Sequence, residues 1–350
     1  MDNAERGRTW WIERVYGAFP VAPAWVGTAL AAALITAFLA SEYALGRHEL
    51  LASGGDALYG FRDLRVAVVL CLMVAYLPTA CVYLLRGARR SLLLLRPVLD
   101  STDADFGALA GEVGAYSWWR LLGVCLLGTG FMVLVPLLVG PGAEYAYEVR
   151  VWSPEVTWHR ILAPVIGWWI GRFIFSVVVE SSRLSRASRH LAPIGLLDLR
   201  PLAPFARQGL ANAFWLVGLF SITALLVLDV GFVAVVAWAG TLMLAVAIAS
   251  LVLPVRGVHQ RIREQKKAEL DRVRAAIQGD RSSLVDSGIA SQADAVSLAD
   301  LIAYETRIEN VREWPFDAPT MLRFALYLAI PLGSWLGGAF VERLLGAALD

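Results

Sequence analysis

The sequence predicts an all-α membrane bundle with about seven transmembrane helices, N-terminus inside and C-terminus outside, and a cytoplasmic helical hairpin between the sixth and seventh. Two observations predict it. Of 350 residues, 58% are hydrophobic and 17% charged, with a mean hydropathy of +0.59, whereas a soluble domain carries roughly a quarter charged residues. The charges are also spaced so as to leave long apolar runs. A bilayer core of about 30 Å takes roughly 20 apolar residues as a helix, and in lipid only a structure that satisfies its own backbone hydrogen bonds can cross.

The runs read in order as 21–41, 66–85, 121–139, 161–179, 208–228, 230–255 and 324–341. Arg172 interrupts the fourth, and Asp229 with Gly231 divides the fifth from the sixth. Orientation follows the basic residues. With the N-terminus inside, 24 of the 31 Lys+Arg residues fall in the inner segments 1–20, 86–120, 180–207 and 256–323, and 6 fall outside. The first run follows about twenty residues and reads as a signal anchor, not a cleaved signal peptide. Before it, Arg6, Arg8, Glu13 and Arg14 interleave with Trp10, Trp11 and Tyr16. This pattern suits a short helix in the membrane interface, so that 1–20 forms an interfacial segment and 21–255 a six-helix bundle.

In the inner loop 86–120, Asp100, Asp103 and Asp105 form an acidic group. No partner carboxylates or histidines accompany them, and Asp favours helix N-termini, so they read as capping or solvated residues. Segment 256–318 reads as the hairpin. Val258, Ile262, Leu270, Val273 and Ile277 follow helical spacing up to Gly279. A second helix is expected from a capping box at Ser291-Gln-Ala-Asp294, through Val296, Leu298, Leu301, Ile302, Ile308 and Val311. Pro319 then starts 319–350, the last span and a short outer tail. Acidic residues interleave with the hairpin's basic ones, so nucleic acid is not an expected partner.

Known chemistries find little to use. The two lysines, Lys266 and Lys267, lie outside the apolar runs, which excludes a Schiff-base retinal site. His48, His159, His190 and His259 are isolated, and neither a phosphate-binding glycine loop nor a Gly-x-Ser-x-Gly elbow occurs. Cys71, Cys81 and Cys125 fall inside apolar runs and read as small apolar side chains. No metal, cofactor or enzymatic activity is expected.

Two strings, Leu197-Asp-Leu-Arg-Pro-Leu-Ala-Pro-Phe-Ala-Arg207 and Glu313-Trp-Pro-Phe-Asp-Ala-Pro319, resemble signatures of a family of uncharacterised bacterial multi-pass inner-membrane proteins. That resemblance implies the bacterial cytoplasmic membrane and no particular activity. In topology alone, seven spans with a cytoplasmic hairpin before the last resemble the insect chemoreceptor type of ion channel, in which the last helix lines a pore shared by a tetramer. The orientation is opposite to that of G-protein-coupled receptors.

Two places attract function. Arg172 is a charge near the middle of the fourth run, where insertion costs on the order of 2.5–3.5 kcal/mol. Gly167 and Gly171 precede it at the spacing that permits close helix contact, and Trp168 and Trp169 lie one turn back. It reads either as a cavity-facing charge that favours anions or as a structural arginine that fixes packing. In the seventh run Thr320, Arg323, Tyr327, Pro331, Ser334, Gly338 and Glu342 share a stripe roughly 100° wide, against Leu322, Leu326, Ala329, Leu336 and Phe340 on the other side. The stripe reads either as a dry packing face or as the lining of a polar pathway with Glu342 at its mouth. The function expected is therefore a channel or transporter for an ion or small solute, with a homo-oligomer among its expected partners. The alternative is a non-catalytic sensor or scaffold whose hairpin binds a cytoplasmic protein. A reporter active only outside the cytoplasm should give signal when fused after Asp350 and none when fused near Asp280; the reverse pattern would put the span count off by one.

Overall fold

The computed structural model describes residues 11–44, 57–138, 154–193, 195–228, 233–290, 296–316, 319, 321–327 and 329. These residues are helical, without a strand, apart from one isolated pairing of Leu99 with Leu191. The α-helices are α1 Trp11–Gly17, α2 Pro23–Ala44, α3 Ala57–Leu95, α4 Asp103–Glu112, α5 Trp118–Leu138, α6 Pro154–Ala187, α7 Ala203–Ala224, α8 Val233–Ile277 and α9 Leu298–Glu309.

Contacts fix their relative directions. At one end of α3 and α6, Trp158 Nε1 donates to Cys71 Sγ at 3.2 Å. At the other end the chain after α3 pairs with the chain after α6, Ala192 N donating to Val98 O at 3.0 Å and Asp100 N to His190 O at 2.7 Å. These two long helices therefore run parallel. Helix α2 runs against α3, with Ala24 N near Tyr83 Oη and Gly27 against Thr79 and Ala75. Helix α5 runs against α6, with Gly128 facing Gly167 and Val124 facing Gly171. Helix α7 runs against both α3 and α8, since Gln208 meets Ser91, Tyr76 meets Trp215, and Gly209 meets Leu251. Directions thus alternate along the chain, with α3, α6 and α8 pointing one way and α2, α5 and α7 the other.

Helices α3, α6, α7 and α8 form the centre, with α2 set on α3 and α5 on α6. Burial follows: 72% of the apolar window of α3 is buried, against 17% of that of α2. The outer surface carries Trp25, Leu30, Leu127, Phe131, Leu134, Leu242 and Ile248, an apolar coat suited to lipid. Among the described residues four helical stretches are long and apolar enough to cross a membrane: Pro23–Ala44, Leu64–Val98, Thr157–His190 and Gly240–Ile277. They contain the second and fourth apolar runs and overlap most of the first and sixth. In α5 the apolar stretch Trp118–Leu134 is shorter. Helix α7 opens with the polar set Arg207, Gln208 and Asn212.

Helix α1 is docked by polar contacts. Glu13 is buried and pairs with Arg89 through two bonds, 2.8 and 3.0 Å. Tyr16 Oη donates to Thr79 Oγ1 at 3.0 Å, and Thr79 Oγ1 in turn donates to Ala75 O at 2.8 Å. Trp11 is exposed, and its ring lies 6.4 Å from that of Trp169. Helix α4 is capped by Thr102, which accepts from Asp105 N at 3.1 Å, while Asp103 in the first turn pairs with Arg96. The aspartates thus complement the helix N-terminus.

The hairpin departs from the sequence reading in two ways. The sixth run and the first hairpin helix are one helix, α8, which passes Pro254 unbroken, so the expected boundary at 255/256 is internal to an element. Proline removes one backbone donor, and the packed neighbours of α8 make that tolerable. The second helix starts at Leu298, and its capping box is Ser297 with Asp300. The box expected at Ser291–Asp294 lies outside the described residues. Between the helices Gly279 adopts φ +111°, which suits glycine, and Arg281–Asp286 forms a 3₁₀ turn. Val273, Ala276, Leu284, Val296 and Leu301 make a small separate core.

Glu269 ties this unit together. Its Oε1 accepts from Ser287 Oγ (2.6 Å), Gly288 N (2.8 Å) and Tyr304 Oη (2.9 Å), and Oε2 from Arg272 at 3.2 Å. Burial pushes the carboxyl up, but these four donors outweigh it and hold it below its ordinary value. A depressed folded value means the stabilisation is present above the unfolded value, about pH 4, and lost as pH falls through the folded one. Glu269→Gln should cost the hairpin about 1–3 kcal/mol at neutral pH. Protection of the 281–290 amides against hydrogen exchange in the full chain, corrected for the intrinsic pH dependence of exchange, should fall below about pH 4 in the parent and be low and flat across that range in the variant. Equal exchange in both at neutral pH would remove Glu269 from this role.

Candidate functional site

Helix α6 touches α3, α5, α7 and α8, and the reason is partly local. A Cβ on Gly171 would lie 2.3 Å from Val124 O and 3.1 Å from Cys125 Cα, and one on Gly167 would lie 2.4 Å from Gly128 O. Only glycine permits backbones this close. On the α8 side, a Cβ on Gly257 would lie 2.3 Å from Ser185 O, while the Gly257 N–H donates to Ser185 Oγ at 3.1 Å.

Arg172 sits near the middle of α6, 5% exposed. Its guanidinium carbon lies 5.8 Å from the centre of the Tyr116 ring, an aromatic from the link between α4 and α5. Arg183 lies 5.4 Å from the same ring. Eleven residues at about 100° each bring Arg183 back to within about 20° of Arg172, and the rise between them is about 16.5 Å. The two arginines therefore mark one stripe of α6 with a single ring reached by both. Phe175 packs edge-on against that ring at 5.4 Å.

Arg183 is tightly held. Its Nη1 donates to Glu180 Oε1 at 2.8 Å, its Nη2 donates to Ala115 O, and its Nε lies 3.8 Å from Glu112 Oε2. Glu180 is buried and also accepts from Gly114 N at 3.1 Å. Gly114 adopts φ +81°, with Leu85 packed at its open side, so a side chain there is strained. Beside this cluster is a partly open cavity of about 20 Å³, lined by Ala88, Leu92, Leu109, Glu112, Glu180 and Arg183 among others. That is space for one water-sized particle.

A second polar set crosses the junction of α3, α6 and α7. Ser91 Oγ donates to Gln208 Oε1 (3.1 Å), Gln208 Nε2 to Asn212 Oδ1 (2.8 Å), and Asn212 Nδ2 to Ser181 Oγ (3.0 Å). All four residues are buried. Each gap is filled by a donor facing an acceptor, which is what makes burial of amides affordable in an apolar interior.

Of the residues singled out from sequence, Arg172 lies in the centre of the bundle. Tyr327 is half-buried, its ring 5.1 Å from that of Phe214 on α7, while Arg323, Leu322 and Leu326 are exposed. Pro331, Ser334, Gly338 and Glu342 lie outside the described residues. The three cysteines are free and buried, and no cluster of three metal-ligating side chains occurs among the described residues. Tyr116, Glu180 and Arg183 fall in the inner segments 86–120 and 180–207 and were not singled out from the sequence. The periodicity of Arg172 with Arg183 was the one signal that would have joined them. Comparison with protein-family models, with curated proteins and with solved structures gives no match to this chain.

Proposed function

We propose that this chain is a seven-span protein of a bacterial cytoplasmic membrane, N-terminus inside and C-terminus outside, that moves an ion or small solute across the bilayer along α6. The alternating directions of α2, α3, α5, α6, α7 and α8 support consecutive crossings. The apolar coat supports lipid around them, and Arg86, Arg90, Arg120, Arg207 and Arg256 at the common polar end support that end as the inner one. The observation that carries a transport function is Arg172: a buried charge in mid-bundle, continued toward the inner end by Ser176, Glu180 and Arg183 on the same helix. Ionisable groups at such depth mark pathways by default. The stripe from Arg323 to Glu342 is proposed as a second wall; the contact of Tyr327 with Phe214 supports its packing along α7. The competing scaffold reading is favoured by the hairpin, which has its own core and exposes Val285, Leu298 and Ile302.

Purified full-length protein in liposomes should pass at least one of potassium, sodium, protons or chloride faster than protein-free liposomes. Arg172→Lys should fold and alter the rate, and Arg172→Met should lower it about tenfold or more, the scale of one lost charge-assisted hydrogen bond. Folded protein that passes none of these ions would overturn the transport reading in favour of the scaffold. Loss of folding in both variants would make Arg172 a packing residue.

A further inference from the structure

We infer that the transported particle is a small inorganic anion of halide size, taken up at Arg183 from the inner side and passed beneath Tyr116 to Arg172. This rests on the transport reading and adds the substrate class and the entry site.

A guanidinium keeps its charge at any ordinary pH and offers five donors, so it suits an anion better than any other buried cationic group. The described partners of Arg183 are all acceptors: the Glu180 carboxylate, the Ala115 carbonyl and, at a looser 3.8 Å, the Glu112 carboxylate. They mark the places where an anion's lone pairs would sit. The two carboxylates differ in kind. Glu180 is 1% exposed in its side chain and is also held by Gly114 N, so it stays and fixes Arg183 in place. Glu112 is 56% exposed, makes the long contact and lines the cavity. An incoming anion can therefore displace Glu112 into water and take its place against Arg183. The cavity of about 20 Å³ has room for a single small ion beside Arg183.

From there the next cation on the same face of α6 is Arg172. A rise of about 16.5 Å separates the two residues on the helix. Their long side chains close much of that distance, since both heads come within 6 Å of the Tyr116 ring centre. The ring has a positive edge and a negative face. With its face engaged by the two cations it serves as the partition between the inner site and the buried one. Its seat is set by Phe175 and by the left-handed turn at Gly114.

The test uses the full chain in liposomes across a potassium chloride gradient, with chloride as the probe. The reversal potential and the quenching of a halide-sensitive dye are read together. The expected result is a reversal potential on the chloride side, with Arg183→Gln lowering chloride flux about tenfold or more. Arg183→Lys should recover part of it. Glu112→Gln should lower the chloride concentration at half-maximal flux, because the competing carboxylate has lost its charge; a purely structural Glu112 would not shift that value. Arg207→Gln, an exposed arginine on α7, should leave flux unchanged. Should Arg183→Gln fail to fold, wild-type selectivity and the surface variant Glu112→Gln still decide. Flux of potassium or protons without chloride would overturn the anion assignment and leave transport standing. Chloride flux indifferent to both Arg183→Gln and Glu112→Gln would overturn the site. Absence of any flux would remove both.

Discussion

The close approach of α6 to its neighbours is the constraint on which the rest of the bundle depends. Between helices in lipid there is little hydrophobic gain, so association comes from packing and from hydrogen bonds. Gly167 and Gly171 against Gly128 and Val124, and Gly257 against Ser185, bring backbones to distances at which even a methyl group would overlap. Such contact leaves no room for water. Polar groups caught at these junctions must then satisfy one another, and the chain from Ser91 through Gln208 and Asn212 to Ser181 does so. An unmatched amide in the same position would cost about 1–3 kcal/mol.

The same packing gives the charged stripe its character. Arg172, on α6, faces Cys81 of α3, Cys125 of α5 and Tyr116 of the α4–α5 link, and a charge in a poorly polarisable interior acts over longer range than one in water. Toward Arg183 the geometry loosens. Arg183 lies where the bundle meets α4, and its partners grade from a buried carboxylate to a solvated one. This gradient from fixed to exchangeable partners along one helix face is the feature on which the proposed pathway mouth rests.

The all-helical class and the approximate places of the apolar helices were legible in the sequence because long apolar runs leave few alternatives. The Gly167/Gly171 spacing also pointed to a contact that the fold contains. Ends were less legible. The fourth run stops at Val179 by apolarity, yet α6 continues to Ala187, since Glu, Ser, Arg, Leu and Ala sustain a helix once it leaves lipid. Placing Glu180 and Arg183 in a loop hid their alignment with Arg172. Similarly, α8 runs through 255/256 although Pro254 and Gly257 both weaken a helix, because packed neighbours hold it there. The second hairpin helix could be capped at Ser291 or at Ser297; both are followed by Asp three residues on, and only tertiary packing of Val296 and Leu301 distinguishes them.

The central claim is that glycine-mediated contact of α5 with α6 seals the middle of the bundle. The native thiols test it without a label. Cys125 lies fully buried at that contact, its Cα 3.1 Å from the position of a Cβ on Gly171. Reaction of Cys125 with a small water-soluble thiol reagent should be followed by mass spectrometry in folded protein, in the parent and in Gly171→Ala. The account predicts a protected Cys125 in the parent, and in the variant both a reactive Cys125 and a lower melting temperature. A variant that keeps Cys125 protected and melts with the parent would contradict it.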